Sequence, residues 1–139
     1  MEQLDMKISP TLYQQIISHG VQEHPHEACG LVAGAKASRV ESVWPLANEQ
    51  KYRNRYFISK KVVESTIKKV NEQGQKVLGI YHSHPTTAPI PSSRDLWYHP
   101  DEQVKMIIIS FKTHPPVLKC YTIHSHTYDE HPFLIDPSH

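Results

Sequence analysis

The chain contains the stretch Val77-Leu78-Gly79-Ile80-Tyr81-His82, which continues directly into Ser83-His84-Pro85. The first six residues are apolar almost throughout, which is typical of a strand at the centre of a sheet. Pro85, Pro89 and Pro91 then predict an irregular but stiff connection. His82 and His84 therefore lie where this central strand ends and the proline-rich connection begins.

Patterns on either side of this strand predict an α/β fold, with one mixed sheet and helices packed against it. A first helix is predicted from Ser9-Pro10 to Gly20, where glycine ends it, and a second from about Lys60 to Gln73. A third, short helix is predicted through Asp95 to Trp97, with Ser92 or Ser93 as its cap. Further strands are predicted at the end of the run 27–34, at Val40 to Leu46, at Tyr56-Phe57-Ile58, at Met106 to Phe111, at Val117 to Ile123 and, as a last edge strand, at Phe133 to Ile135. Residues 1–139 are expected to form a single domain, because a division would leave pieces too small for a good core.

The composition excludes several classes of protein. Apolar residues make up 38% and charged residues 21%, with a formal net charge of +1, so the chain is not a disordered polyelectrolyte. No apolar stretch approaches the length of a membrane-spanning helix, and the N-terminus lacks the apolar region of a secretory signal. Cys29 and Cys120 cannot build a disulfide framework, which favours a reducing cytoplasm.

Charge is unevenly distributed along the chain. The segment from Lys36 to Lys76 holds ten Lys and Arg against four Asp and Glu, whereas the remainder holds five against ten. The favoured interpretation is an ordinary solvated helix face, and binding of an acidic partner by this segment stays open as a hypothesis. Nucleic acid is not an expected partner, because no aromatic-interleaved basic cluster or nucleic-acid motif is present.

His82, His84 and Asp95 are the candidate metal ligands. Residues two apart on an extended chain point to the same face, so both imidazoles can reach one ion. Asp95 follows at the start of a predicted short helix and can add a carboxylate oxygen. Three protein ligands are the pattern of a catalytic zinc site, whose fourth position stays open for water.

A second His-x-His occurs at His124-Ser125-His126, with Asp136 following after nine residues. It lacks the proline after the second histidine and the serine three positions before the aspartate. It also lies near the C-terminus, so we interpret it as a pair of surface histidines. Spacing alone therefore does not separate a metal site from histidine-rich loops.

The surrounding residues make that distinction. One pattern in this chain resembles, at every position, the signature of the JAMM (MPN-plus, Mov34-type) metallopeptidases. It consists of His82-Ser83-His84-Pro85, six further residues, Ser92, two further residues and Asp95. Small prokaryotic members set an upstream glutamate in a context similar to Glu27-Ala28-Cys29-Gly30-Leu31 here. Asn48 and Tyr56-Phe57-Ile58 also resemble family features, though less specifically.

The resemblance implies a role for each matched residue. His82, His84 and Asp95 would bind one Zn²⁺ per chain, and Glu27 would be the general base that takes a proton from zinc-bound water and gives it to the leaving amine. Ser92 would donate a hydrogen bond to the tetrahedral oxyanion, in addition to capping the helix. Cys29 and Ser83 are not assigned chemistry: Cys29 is expected as a small buried thiol, and Ser83 as a partner of the local backbone.

The resemblance also implies a fold and a substrate class. The fold would be the cytidine-deaminase-like architecture of the JAMM/MPN family. The length fits the minimal prokaryotic type, whose members act on ubiquitin-like or sulfur-carrier proteins that end in Gly-Gly and remove what is attached after that terminus. The substrate protein, the released group and the oligomeric state stay open.

Two alternative functions are weighed against a peptidase. A non-catalytic MPN scaffold is one, although such modules have typically lost ligands that are all present here. A 2-His-1-carboxylate iron(II) oxygenase is the other, because its ligand set is the same. In that triad the carboxylate is usually close to the first histidine, and it would explain neither Glu27 nor Ser92.

Overall fold

A computed structural model of the chain describes residues 5–48 and 58–137. Its strands are β1 (Met6–Ile8), β2 (Cys29–Gly34), β3 (Ser42–Leu46), β4 (Lys76–His84), β5 (Lys105–Ser110), β6 (Val117–His124), β7 (Thr127–His131) and β8 (Phe133–Ile135), and its helices are α1 (Pro10–Glu23), α2 (Lys60–Glu72) and α3 (Ser93–Tyr98). Tyr56 and Phe57 of the strand predicted at 56–58 lie outside the described residues, and Ile58 belongs to no strand.

Six strands form a mixed sheet in the order β3-β2-β4-β5-β6-β7. β4 pairs with β2 on one side and with β5 on the other, which confirms its predicted central place. The β4–β5 pair is parallel, and the other pairs of this sheet are antiparallel. The start of β2 therefore lies at the same edge of the sheet as the ends of β4 and β5.

The two faces of this sheet bury different clusters. One face packs against α1 and a second sheet of two strands, in a cluster that includes Ile8, Ile16, Tyr81 and Ile107. The other face carries a smaller cluster of Met106, Ile108, Tyr121 and Ile123, against which Leu96 of α3 packs. The mixed sheet flanked by helices agrees with the α/β fold expected from the sequence.

The second sheet and two of the strands were not anticipated. β8 pairs in parallel with β1, from Met6 opposite Phe133 to Ile8 opposite Ile135, rather than extending the main sheet. β1 has only three residues, and four of the five residues of β7 are exposed. Strands that are this short or this polar leave no clear alternation of apolar residues in the sequence.

The predicted end of α1 at Gly20 is wrong, because the helix continues to Glu23. Gly20 is buried, and a Cβ atom at this position would lie 2.5 Å from the ring of Phe111. The glycine therefore permits close packing instead of ending the helix. The end comes at His24, directly before Pro25, which cannot donate a helical hydrogen bond. No helix in the described part of the chain is long and apolar enough to cross a membrane.

Candidate active site

Glu27 is held beside the end of β4 by the residues that follow it. The N–H of Ala28 donates to Ser83 Oγ at 2.8 Å, and the N–H of Ser83 donates to the Ala28 carbonyl oxygen at 2.9 Å. Cys29 then pairs with His82 in the β2–β4 ladder. The antiparallel register thus brings the only buried glutamate of the described residues to the edge where the two histidines lie.

The three candidate ligands converge on one point. His82 and His84 point to the same face of β4, and their Nε2 atoms lie 3.2 Å apart. Asp95 Oδ2, from α3, lies 3.2 Å from the Nε2 atom of His82 and 3.1 Å from that of His84. All three side chains are almost completely buried. We call these three atoms the donor triangle.

The connection between β4 and α3 is tied to the sheet through its carbonyl oxygens. The carbonyl oxygen of Thr87 accepts a hydrogen bond from Ser110 Oγ at 2.5 Å. The carbonyl oxygen of Ala88 contacts His84 Nδ1 at 2.8 Å, and that of Pro89 accepts a hydrogen bond from the hydroxyl of Tyr121. Ser110 ends β5 and Tyr121 lies on β6, so two further strands help to fix the connection. An anchored loop therefore positions Asp95 beside the two histidines.

Ser92 caps α3 and orients Asp95. The Asp95 N–H donates to Ser92 Oγ at 3.0 Å, and the Ser92 N–H donates to Asp95 Oδ2 at 2.9 Å. This reciprocal arrangement is a capping box, and it identifies Ser92 rather than Ser93 as the cap. A hydroxyl that accepts a hydrogen bond still has its own proton to donate.

The ionisation of the donor triangle reflects the mutual contacts of its members. Burial alone would raise the pKa of Asp95, but the charge of His82 and hydrogen bonds from both histidines and the Ser92 N–H hold that pKa well below its usual range. Burial opposes protonation of His84, yet its contacts with Asp95 and the carbonyl of Ala88 raise its pKa above the ordinary value. The Asp95 carboxylate and the protonated form of His84 therefore stabilise each other when no metal is present.

Glu27 lies in a different environment. Its side chain is 3% exposed, and among the described residues Oε1 has no hydrogen-bond partner. Burial, followed by the negative charge of Asp95, raises the pKa of Glu27 to about 8. Asn48 Nδ2 donates to the backbone carbonyl of Glu27 at 2.9 Å, which fixes the backbone at this residue. The carboxyl group lies close enough to Asp95 and His84 for their charges to shift its pKa.

The donor triangle fits a metal ion. Two nitrogens and one oxygen are the ligand types of catalytic zinc, and bonds of about 2.0–2.1 Å in a tetrahedron place ligand atoms about 3.3 Å apart. The observed separations of 3.1–3.2 Å are close to that edge length. His84 Nδ1 already faces a carbonyl oxygen, which leaves the lone pair of Nε2 for a metal. Three such atoms would repel one another unless a proton or a cation lay between them.

The second His-x-His does not form a comparable cluster. His124 lies at the end of β6, where Nδ1 contacts Glu102 at 2.7 Å and Nε2 contacts Asp129 at 3.0 Å in an exposed setting. His126 is exposed, and Asp136 pairs with Arg39 instead of either histidine. The interpretation of these histidines as surface residues is confirmed.

Other residues near the site differ in how well the sequence revealed them. Cys29 is buried and Ser83 bonds to the backbone, as expected. The anchoring roles of Ser110 and Tyr121 were missed, because the carbonyl groups they bind belong to the backbone of a distant loop. The sequence marks Asn48 only as similar to a family feature, and its contact with the Glu27 carbonyl emerges from the structure.

Comparisons with known proteins agree with this arrangement. The CysO-cysteine peptidase of Mycobacterium tuberculosis is 26% identical over 127 residues, which cover 90% of this chain and 87% of the relative. The desampylase of Haloferax volcanii is 31% identical over 86 residues, or 58% of this chain and 62% of that protein.

Solved structures show the same fold. A solution structure of a Desulfitobacterium hafniense protein aligns with a TM-score of 0.86 at 27% identity, over 94% of this chain and 92% of the other. A JAB1/MPN domain protein from Archaeoglobus fulgidus aligns with a TM-score of 0.62 at 24% identity, over 94% of this chain and all of the other. The family of prokaryotic homologs of the JAB domain matches residues 9–123, and the chain belongs to that family.

Proposed function

We propose that this protein is a zinc-dependent peptidase or isopeptidase that hydrolyses the bond after the C-terminal Gly-Gly of a ubiquitin-like or sulfur-carrier protein. The observation that carries the proposal is the donor triangle with the buried carboxyl group of Glu27 at the same edge of the sheet. Two relatives, a CysO-cysteine peptidase and a desampylase, support the reaction and the class of substrate. We take residues 1–139 as one catalytic domain, and its cytoplasmic location is proposed from the cysteine content alone.

His82, His84 and Asp95 would hold one Zn²⁺ per chain. A bound zinc ion supplies Lewis acidity toward a carbonyl oxygen and lowers the pKa of water toward neutrality. The capping box fixes Asp95, and the contact of His84 with the loop fixes its ring, so the ligands are positioned before an ion arrives.

Glu27 would act as the general base and then as the acid. Its buried carboxyl group would accept a proton from the attacking water and pass it to the leaving amine as the carbon–nitrogen bond breaks. Because its pKa is raised to about 8, the group can hold a proton in transit at neutral pH, and a nearby cation would favour its ionised form.

Ser92 would donate its hydroxyl proton to the oxyanion of the tetrahedral intermediate. The capping contact fixes its oxygen without using that proton. A single donor of this kind is worth about 10²–10³-fold in turnover in other hydrolases.

The test is hydrolysis by the Glu27→Gln variant. Glutamine keeps the size of the side chain but cannot accept the proton, so we expect the variant to bind zinc and to lose at least ~10²-fold in turnover. The measurement is release of the group attached to a carrier ending in Gly-Gly, with zinc content determined on the same samples. Glu72→Gln, an exposed position on α2, is the matched control. Undiminished hydrolysis by Glu27→Gln would contradict the assignment.

A further inference from the structure

The peptide unit between Glu27 and Ala28 lies directly before the main sheet begins. β2 starts at Cys29, which pairs with Leu46 of β3 on one side and with His82 of β4 on the other. The peptide unit that follows Glu27 therefore precedes the first paired residue of the strand. Because its carbonyl and N–H groups are buried, they need hydrogen-bond partners of their own.

Two side chains from different parts of the sheet supply these partners. Asn48 Nδ2 donates to the Glu27 carbonyl oxygen at 2.9 Å, and Ser83 Oγ accepts a hydrogen bond from the Ala28 N–H at 2.8 Å. This carbonyl and this N–H are the two ends of one planar trans peptide unit, which presents them in opposite directions. One rigid plane is thus held from both sides, and we call the two contacts the peptide clamp.

The strand register explains why Asn48 can reach this plane. Leu46 is opposite Cys29, so the antiparallel register, continued for two residues, places Asn48 opposite Glu27. β3 has ended at that point, and the side-chain amide provides the donor that a backbone N–H provides within a ladder. An asparagine side chain carries such a donor, whereas an ionised aspartate of the same shape has only acceptors.

We propose that Asn48 is a positioning residue for Glu27, and that with Ser83 it clamps the peptide plane after Glu27 and so sets the direction of the carboxyl group. The inference rests on the proposed function, in which this group must meet both the attacking water and the leaving amine. Once the plane is anchored, the direction in which the Glu27 side chain leaves it depends on a single backbone torsion angle, ψ. Oε1 of that side chain has no hydrogen-bond partner among the described residues, so its position depends on the backbone from which it extends.

The first test is hydrolysis of a carrier that ends in Gly-Gly and bears an attached group, by zinc-loaded Asn48→Ala and Asn48→Asp. The aspartate keeps the size of the side chain and places an acceptor against the Glu27 carbonyl. We expect kcat to fall about ten- to a hundredfold in both variants, because a small misplacement of a reacting group is costly, while KM and zinc content stay the same. Asn71→Ala, at an exposed position on α2, is the matched control.

A double-mutant cycle tests whether Asn48 and Ser83 act on the same plane. If they do, loss of either contact releases the plane, and loss of the second adds little. The kcat of the double variant Asn48→Ala, Ser83→Ala should then lie within about threefold of the slower single variant. Independent roles would instead multiply the two losses. Zinc content is determined for all four proteins of the cycle, because Ser83 also lies between two candidate ligands.

Hydrogen exchange at Ala28 gives a readout that does not depend on turnover. The Ala28 N–H keeps its bond to Ser83 when Asn48 is replaced, but it shares its peptide plane with the Glu27 carbonyl. Asn48→Asp should therefore make this N–H exchange faster than in the wild type, and Asn71→Ala should not. The rates are measured by NMR on the full chain, with and without zinc.

The outcomes are distinct. Unchanged kcat in both Asn48 variants, multiplied losses in the double variant, or unchanged exchange at Ala28 would overturn the inference and leave the proposed function intact. Loss of zinc from Asn48→Asp would also overturn it, because the residue would then act through the metal ligands. Absence of hydrolysis by the wild type would contradict the proposed function itself. In that event faster exchange at Ala28 in Asn48→Asp would still support the peptide clamp.

Discussion

At the scale of single residues, the site depends on how the backbone around Glu27 is held. Ser83 both accepts a hydrogen bond from Ala28 and donates one back, and Asn48 binds the Glu27 carbonyl. Ser83 lies between the two histidines, so one residue couples the position of the glutamate to that of the candidate ligands. A buried carboxyl group is costly when one of its oxygens has no hydrogen-bond partner, as is the case for Glu27 among the described residues, and these contacts fix the backbone from which it extends.

Ser83→Ala tests this coupling. The change leaves the buried N–H of Ala28 without its acceptor, which costs about 1–3 kcal/mol of folding free energy. We expect zinc to be retained, turnover to fall about tenfold or more, and the midpoint of thermal unfolding to decrease. Ser65→Ala, which removes a serine hydroxyl from the exposed face of α2, is the control. Full activity in Ser83→Ala would show that the contact does not position Glu27.

Metal binding is expected to depend on pH through the groups at the site. His84 must be neutral to bind zinc, and Glu27 should ionise beside a cation, yet the pKa of each is raised in the metal-free protein. Glu27 therefore carries a proton below about pH 8 that zinc must displace, and the raised pKa of His84 makes protons compete with zinc for that ligand as well. Affinity for zinc should weaken as pH falls from about 8, and binding should release protons.

Calorimetry in two buffers of different ionisation enthalpy counts these protons. At pH 7, Glu27→Gln should release fewer protons than the wild type, because the glutamine has none to lose. An affinity that does not change between pH 6 and pH 8 would contradict the expected linkage.

At the scale of elements, the connection from β4 to α3 determines where Asp95 lies. The parallel pairing of β4 with β5 requires a crossover, and the capping box at its end brings the carboxylate back to the histidines. Sites of α/β sheets commonly lie beyond the carboxyl ends of their strands. Here the crossover is also bound by side chains from β5 and β6, so the sheet itself supports the ligand geometry.

Tyr121→Phe removes one of these tethers, the hydroxyl that binds the carbonyl of Pro89. We expect affinity for zinc to fall several-fold, because Asp95 is less firmly held, while the sheet stays intact. Tyr128→Phe provides a matched control, since Tyr128 packs edge-on against Tyr121 from the neighbouring strand. Equal zinc affinity in Tyr121→Phe and Tyr128→Phe, measured by competition with a chelator, would show that the tether does not support the site.

At the scale of the whole molecule, the sequence predicted what local patterns encode. Short segments are enough to reveal the apolar run of β4, the cap at Ser92 and the spacing from His82 to Asp95. In the structure, β4 and α3 bring these residues together. The pairing of β1 with β8 joins the two ends of the chain through three residues each, which no local pattern reveals. The role of Gly20 is not predictable from its neighbours, because it depends on packing against Phe111, which is distant in the sequence.

His82, His84 and Asp95 are proposed to hold a catalytic zinc ion, and the metal content of purified protein reports on that site without an assay of activity. Mass spectrometry should find about one zinc per chain in the wild type and in Glu27→Gln. In His84→Ala, which lacks one of three ligands, zinc should be nearly absent after the same treatment. Absence of zinc from the wild type even after zinc is added back, or full retention in His84→Ala, would show that these three residues do not form a zinc site.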